Sequence, residues 1–114
     1  VNLQYDATQQ ELDDLKTNHN IEIITLSEID NFNDLDGLAA LICACDKIVS
    51  VDNTTVHLAG VLGIDTHALL PFAPDWRWGR ESKTSYWYES VSLHRQHKIS
   101  DWSEPLKTTQ LQLR

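Results

Sequence analysis

The sequence predicts an α/β fold, a three-layer sandwich in which a parallel sheet of about five strands lies between helices. Three observations predict it. Short β-branched runs alternate with stretches of helical periodicity from one end of the chain to the other. Two of the runs, Ile21–Ile24 and Ile48–Val51, suit strands buried on both faces. The stretch Ser50 to Gly63 leaves such a strand at an acid, Asp52, and enters a helix directly.

The elements follow in order. Val1 to Tyr5 alternates like a short strand. Asp6 or Thr8 can cap the next helix, with Gln9 or Glu11 three residues on. Leu12 and Leu15 give that helix an apolar stripe, and Asn18-His19-Asn20 ends it. Ile21 to Leu26 is a second strand, followed by a polar loop from Ser27 to Asp34. Leu35, Leu38, Leu41, Ile42 and Cys45 recur at helical spacing. Lys47 to Asp52 is a third strand, and Thr54 to Leu62 a helix closed by Gly63. Thr66 to Leu70 is a fourth strand, stopped by Pro71. Phe72 to Tyr88 reads as a long aromatic loop, Val91 to Arg95 as a fifth strand, and Asp101-Trp102 as the opening of a last amphipathic helix. No internal repeat or low-complexity segment is present.

At 114 residues the chain fits one domain with a modest core. Its 41% hydrophobic and 23% charged residues are those of a folded globular protein. A net charge of −8 argues against nucleic acid or an anionic membrane as the main partner. No apolar run approaches the roughly 20 residues of a membrane span, and the first residues do not read as a signal-peptide pattern. Cys43 and Cys45, two apart in a helical pattern, read as buried thiols of a cytoplasmic protein rather than a disulfide. The chain begins at Val1 and enters a strand at once, which leads us to expect a piece of a longer protein.

In parallel α/β sheets, ligands bind beyond the carboxyl ends of the strands. Gln4, Tyr5, Asp6, Asp52, Asn53, Thr54 and the loop from Pro71 are expected at that edge. The turn after Val51 leaves backbone N–H groups at a helix start, with the positive end of the helix dipole behind them. That is a seat for a phosphate or diphosphate. Asp52 is either the helix cap or a ligand contact. Asn53, Thr54 and Thr55 are small polar residues that let a ligand reach the backbone, or form only a capping turn. His57, in the first turn, is either a packed side chain or a ligand contact. Gly60 within the helix suggests close approach of helix and sheet. Asp75 and Arg77 can pair with each other or with a substrate. Trp76 and Trp78 can wall a base or sugar, or cluster with Trp87 and Tyr88 beneath the loop. His94 and His97 lack a convincing third ligand, so no metal is expected. G-x-G-x-x-G, P-loop, C-x-x-C and G-x-S-x-G motifs are absent.

With these residues in view, the sequence resembles the C-terminal half of glycosyltransferases built from two Rossmann-like domains (the GT-B fold). More narrowly, it resembles the C-terminal region of bacterial tetratricopeptide-repeat (TPR) proteins of the heptosyltransferase-like (family 9) type. The resemblance covers nearly the whole chain. It rests on Leu3-Gln4, Asp36 to Ile42, Val51 to Gly60, the Pro71-x-x-Pro74-Asp75-Trp76-Arg77-Trp78 loop, Trp87-Tyr88, Leu93 to Gln96 and Asp101-Trp102. It implies that the whole of 1–114 is a nucleotide-sugar-binding domain, with the donor diphosphate cradled by Asp52, Asn53, Thr54 and His57 and with Gln4 nearby. Asp6 departs from a common glycine, Thr84, Tyr86 and Glu89 from common Asp, Pro and Pro, and Ser92 from a common basic residue.

The resulting expectation is donor binding in sugar transfer, with Gln4, Asp52, Asn53, Thr54, Thr55, His57, Pro71, Asp75, Trp76 and Arg77 as site residues. No catalytic residue is assigned and no metal or cofactor is required. The general base would lie in an N-terminal domain missing from this chain, which would be inactive alone. Two other classes stay open: a degenerate domain kept for protein interaction, and a receiver-like signalling domain phosphorylated at Asp52.

Overall fold

A computed structural model describes all residues 1–114, in two compact units, Val1–Leu41 and Ile42–Arg114. Its elements are α1 (Gln9–His19), α2 (Leu35–Cys43), β1 (Ile48–Val51), α3 (Thr54–Val61), β2 (Thr66–Leu70), β3 (Val91–Arg95) and α4 (Ser103–Gln112), with a 3-10 turn at Trp76–Trp78. Helix α2 straddles the boundary between the units.

In the N-terminal unit, Thr8 rather than Asp6 caps α1. Its hydroxyl accepts from the Glu11 N–H, and Glu11 reaches back to the Thr8 N–H, a complete capping box. The helix closes on Asn20, whose φ of 54° is left-handed. No residue of α1 is buried, so caps and side-chain pairs such as Gln9–Asp13 hold it. The first two expected strands do not form. Between them runs a single sheet-like bond, Asn2 N–H to Ile24 O at 2.8 Å. Tyr5, Ile21, Ile24 and Leu26 are exposed. Without a neighbouring ladder and a face to bury, two short segments remain irregular however β-prone their residues.

In the C-terminal unit the sheet therefore has three strands, not about five, in the order β1-β2-β3 and all parallel. The register sets Ile48, Thr66 and Val91 abreast, and Val51, Leu69 and His94. Successive residues point to opposite faces. One face carries Ala68, Leu70, Val91 and Leu93, which form a core with Val56 of α3 and the fully buried Trp78. The other face carries His67 and His94 and receives α4. The segment Lys83–Ser85 lies antiparallel along the outer edge of β3, bridged at Thr84 and Ser92.

Cys43 and Cys45 form no disulfide, but they are not buried as expected. Cys43 is exposed and Cys45 half-buried, because α2 buries Leu38, Leu41 and Ile42 instead. No helix is long and apolar enough to cross a membrane.

Candidate functional site

The β1–α3 turn and the aromatic loop meet at the carboxyl edge of the sheet, joined through His57. Its ring stacks on Trp78, with centroids 5.0 Å apart and planes 22° from parallel. His57 Nδ1 lies 3.1 Å from the Tyr88 hydroxyl, and Nε2 lies 3.7 Å from Asp52 Oδ1. A carboxylate can only accept, so it favours the tautomer with the proton on Nε2. Nδ1 then accepts the Tyr88 O–H. Asp52, His57 and Tyr88 form a line from the strand end to the loop.

Asp52 is thus not the helix cap. That role falls to Asn53, whose side-chain oxygen accepts from the Thr55 and Val56 N–H groups at 3.0 and 3.4 Å and from the Ser50 hydroxyl at 3.1 Å. Extended backbone at Asn53 aims the carboxamide into the first turn. Two of the N–H groups expected to cradle a phosphate are therefore already engaged. Thr54 remains exposed, and Thr55 is buried.

The close approach signalled by Gly60 is to the loop, not to the sheet. A Cβ at Gly60 would lie 2.5 Å from Tyr88 Cγ, so only a hydrogen there lets the tyrosine ring lie across α3. At the far end of α3, Gly63 adopts φ 72° and the Ile64 N–H returns to Ala59 O, ending the helix.

The aromatic loop divides its tryptophans. Trp78 is 0% exposed and belongs to the core, not to a ligand wall. Trp76 is 71% and Trp87 61% exposed, and the two meet edge to face at 6.2 Å. Asp75 and Arg77 pair with each other: Asp75 Oδ1 accepts from the Arg77 N–H at 3.0 Å and from Nη1 at 2.9 Å. The Arg77 N–H, then its guanidinium, hold the Asp75 carboxyl below its ordinary pKa. The same guanidinium lies 4.9 Å over the Trp76 ring. Pro71 is exposed just beyond β2. Gln4 lies in the N-terminal unit, where its carboxamide donates to Asp6 at 2.7 Å.

Sequence reasoning missed what fixes this loop. Arg95, at the end of β3, donates from Nε to Ser82 O at 2.8 Å, from Nη1 to Gly79 O at 3.0 Å and from Nη2 to Trp78 O. Buried Gln96 clamps the exit of β2: its N–H donates to Leu70 O and its Oε1 accepts from the Phe72 N–H. Neither partner set leaves a motif, because the acceptors and donors are backbone groups far away in sequence. Charge does leave a signal. Residues 71–98 hold Arg77, Arg80, Lys83, Arg95 and Lys98 against Asp75, Glu81 and Glu89, a locally basic segment in an acidic chain. They also hold six of its nine aromatic residues.

Comparison with known proteins corrects the family expectation. The chain is similar to Protein FlbA of Caulobacter vibrioides, 35% identical over 103 residues, which cover 90% of this chain and 17% of FlbA. It thus spans about a sixth of the length of that curated relative. No protein-family model and no solved structure matches. The likeness to a two-domain glycosyltransferase does not hold.

Proposed function

We propose that the C-terminal unit is a ligand-binding module for a nucleotide-type molecule, of which a nucleotide sugar is one form. The supporting observation is the His57–Trp78–Tyr88 contact, which joins the strand-to-helix turn and the aromatic loop into one surface at the sheet's carboxyl edge. In this reading a planar base stacks on the exposed Trp76–Trp87 pair. Arg77 and the Thr54 hydroxyl meet the phosphates, because Asn53 already occupies the Thr55 and Val56 N–H groups. Asp52, His57 and Tyr88 hold the surface rigid between the two halves. Sugar transfer would require an acceptor and a base supplied by other residues, and the module contributes binding alone.

A second reading is favoured by the exposure of Trp76, Trp87 and Tyr86, with Arg77 over the Trp76 ring. Tryptophan, tyrosine and arginine are the residues that dominate protein–protein hot spots. Tryptophan fluorescence separates the two. Titration with UDP, ADP or GDP should quench Trp76 and Trp87 saturably in the native chain, and Trp76→Ala should remove most of the response. Absence of quenching by all three nucleotides at millimolar concentration would favour the interaction surface.

A further inference from the structure

We propose that α4 is an acid-released helix, clipped to the sheet by a buried chain of hydrogen bonds, His67–His94–Thr108, that shuts both imidazoles away from water and leaves an added proton without a hydrogen-bond acceptor. The inference concerns the face of the sheet opposite Trp78 and is independent of the nucleotide reading.

His67 of β2 and His94 of β3 are 3% and 4% exposed on the α4 face. His67 Nδ1 lies 3.0 Å from His94 Nε2, and His94 Nδ1 lies 2.8 Å from the Thr108 hydroxyl of α4. The direction of the chain follows from its end. Thr108 donates its own proton to Pro105 O at 3.1 Å, so it accepts from His94 Nδ1–H. His94 Nε2 then accepts from His67 Nδ1–H. That leaves His67 Nε2 buried, with a lone pair and no hydrogen-bond partner.

Every ring nitrogen but that one is committed. A proton on His94 Nε2 forces His67 to give up its Nδ1 proton, because the contact holds one proton only, and either way the extra proton ends at His67 Nε2. A proton on His67 enters at Nε2, where Asp65 Oδ1 is 3.8 Å away, beyond hydrogen-bond length. Asp65 is already paired with Lys47. The other neighbours offer no counter-charge. Alongside His67 and His94, β1 presents Val49 and Val51 and β3 presents Ser92, while Glu104 and Lys107 of α4 are exposed.

Burial lowers the proton affinity of His67, with Asp65 opposing and Lys47 assisting. Burial and then His67 lower that of His94. On release both return toward the ordinary 6.5. The released state therefore binds more protons, and docking is fully favoured above that value and weakened as pH falls below it. Helix α4 has few other anchors. It buries only Pro105 and Thr109, and its N-cap residue, Trp102, makes no side-chain cap bond.

The test is amide hydrogen exchange by NMR on the 114-residue chain at several pH values from 7.5 to 5.5, expressed as protection factors so that intrinsic rates cancel. Below pH 6.5, protection of the α4 amides should fall as pH drops, by at most about tenfold per pH unit for each histidine that charges on release. The α3 amides should hold. Thr108→Val, which removes the acceptor of His94 Nδ1–H and keeps both histidines, should lower α4 protection already at pH 7.5. Protection of α4 that does not change with pH, a fall of α3 in step with α4, or a Thr108→Val chain indistinguishable from the native one would each overturn the proposal.

Discussion

Replacing Gly60 with alanine sets two opposed effects against each other. In an exposed helix the change gains about 1 kcal/mol of helix propensity. Here the new methyl would stand 2.5, 2.7 and 2.9 Å from three carbons of the Tyr88 ring, all inside contact distance. The ring must move, and it packs against the core and carries the bond to His57. Overpacking costs about 1–3 kcal/mol. Loss of the hydroxyl–imidazole bond adds about 1 kcal/mol. The balance is a net destabilisation of roughly 1–3 kcal/mol after the propensity gain is subtracted. Urea unfolding followed by tryptophan fluorescence would measure it. The double variant Gly60→Ala with Tyr88→Ala should recover most of the overpacking cost, because the obstacle is gone. A Gly60→Ala chain more stable than the native one would refute the assignment of this glycine to the Tyr88 contact.

Asn53→Ala removes the α3 cap and should cost about 1 kcal/mol, seen as a melting-temperature drop of about 4 °C. Arg95→Gln should free the 78–82 segment and cost about 2–3 kcal/mol, with Arg95→Lys recovering little because a single ammonium cannot span three carbonyls. Proteolysis within 79–83 is the sensitive readout. Trp76→Ala, at an exposed ring, should leave urea stability within about 0.5 kcal/mol of native while removing nucleotide quenching.

The parts legible in sequence were those in which local chemistry and tertiary surroundings agree. The run Ile48–Val51, the small polar residues after it and Gly63 each encode their own conformation, and α3 formed between Thr54 and Val61. Val1–Tyr5 and Ile21–Leu26 carry the same β preference, but a strand exists only where a ladder receives it. The cap moved from Asp52 to Asn53 because both residue types suit the position and backbone direction decides. In the loop, Trp76 and Trp78 are two residues apart and alike in sequence. One is exposed and the other buried because Arg95 and Tyr88, far along the chain, fix the turn between them. The His67–His94 pair follows from strand register, which no spacing in the sequence states.

The most direct test of the central claim is an NMR titration of the chain with UDP, ADP and GDP, reading the amides of Thr54, His57, Asp75, Trp76, Arg77, Trp87 and Tyr88 together. A nucleotide-binding surface shared by turn and loop predicts that one nucleotide shifts both groups along a single saturation curve. Shifts confined to one group, or none at millimolar nucleotide, would contradict it.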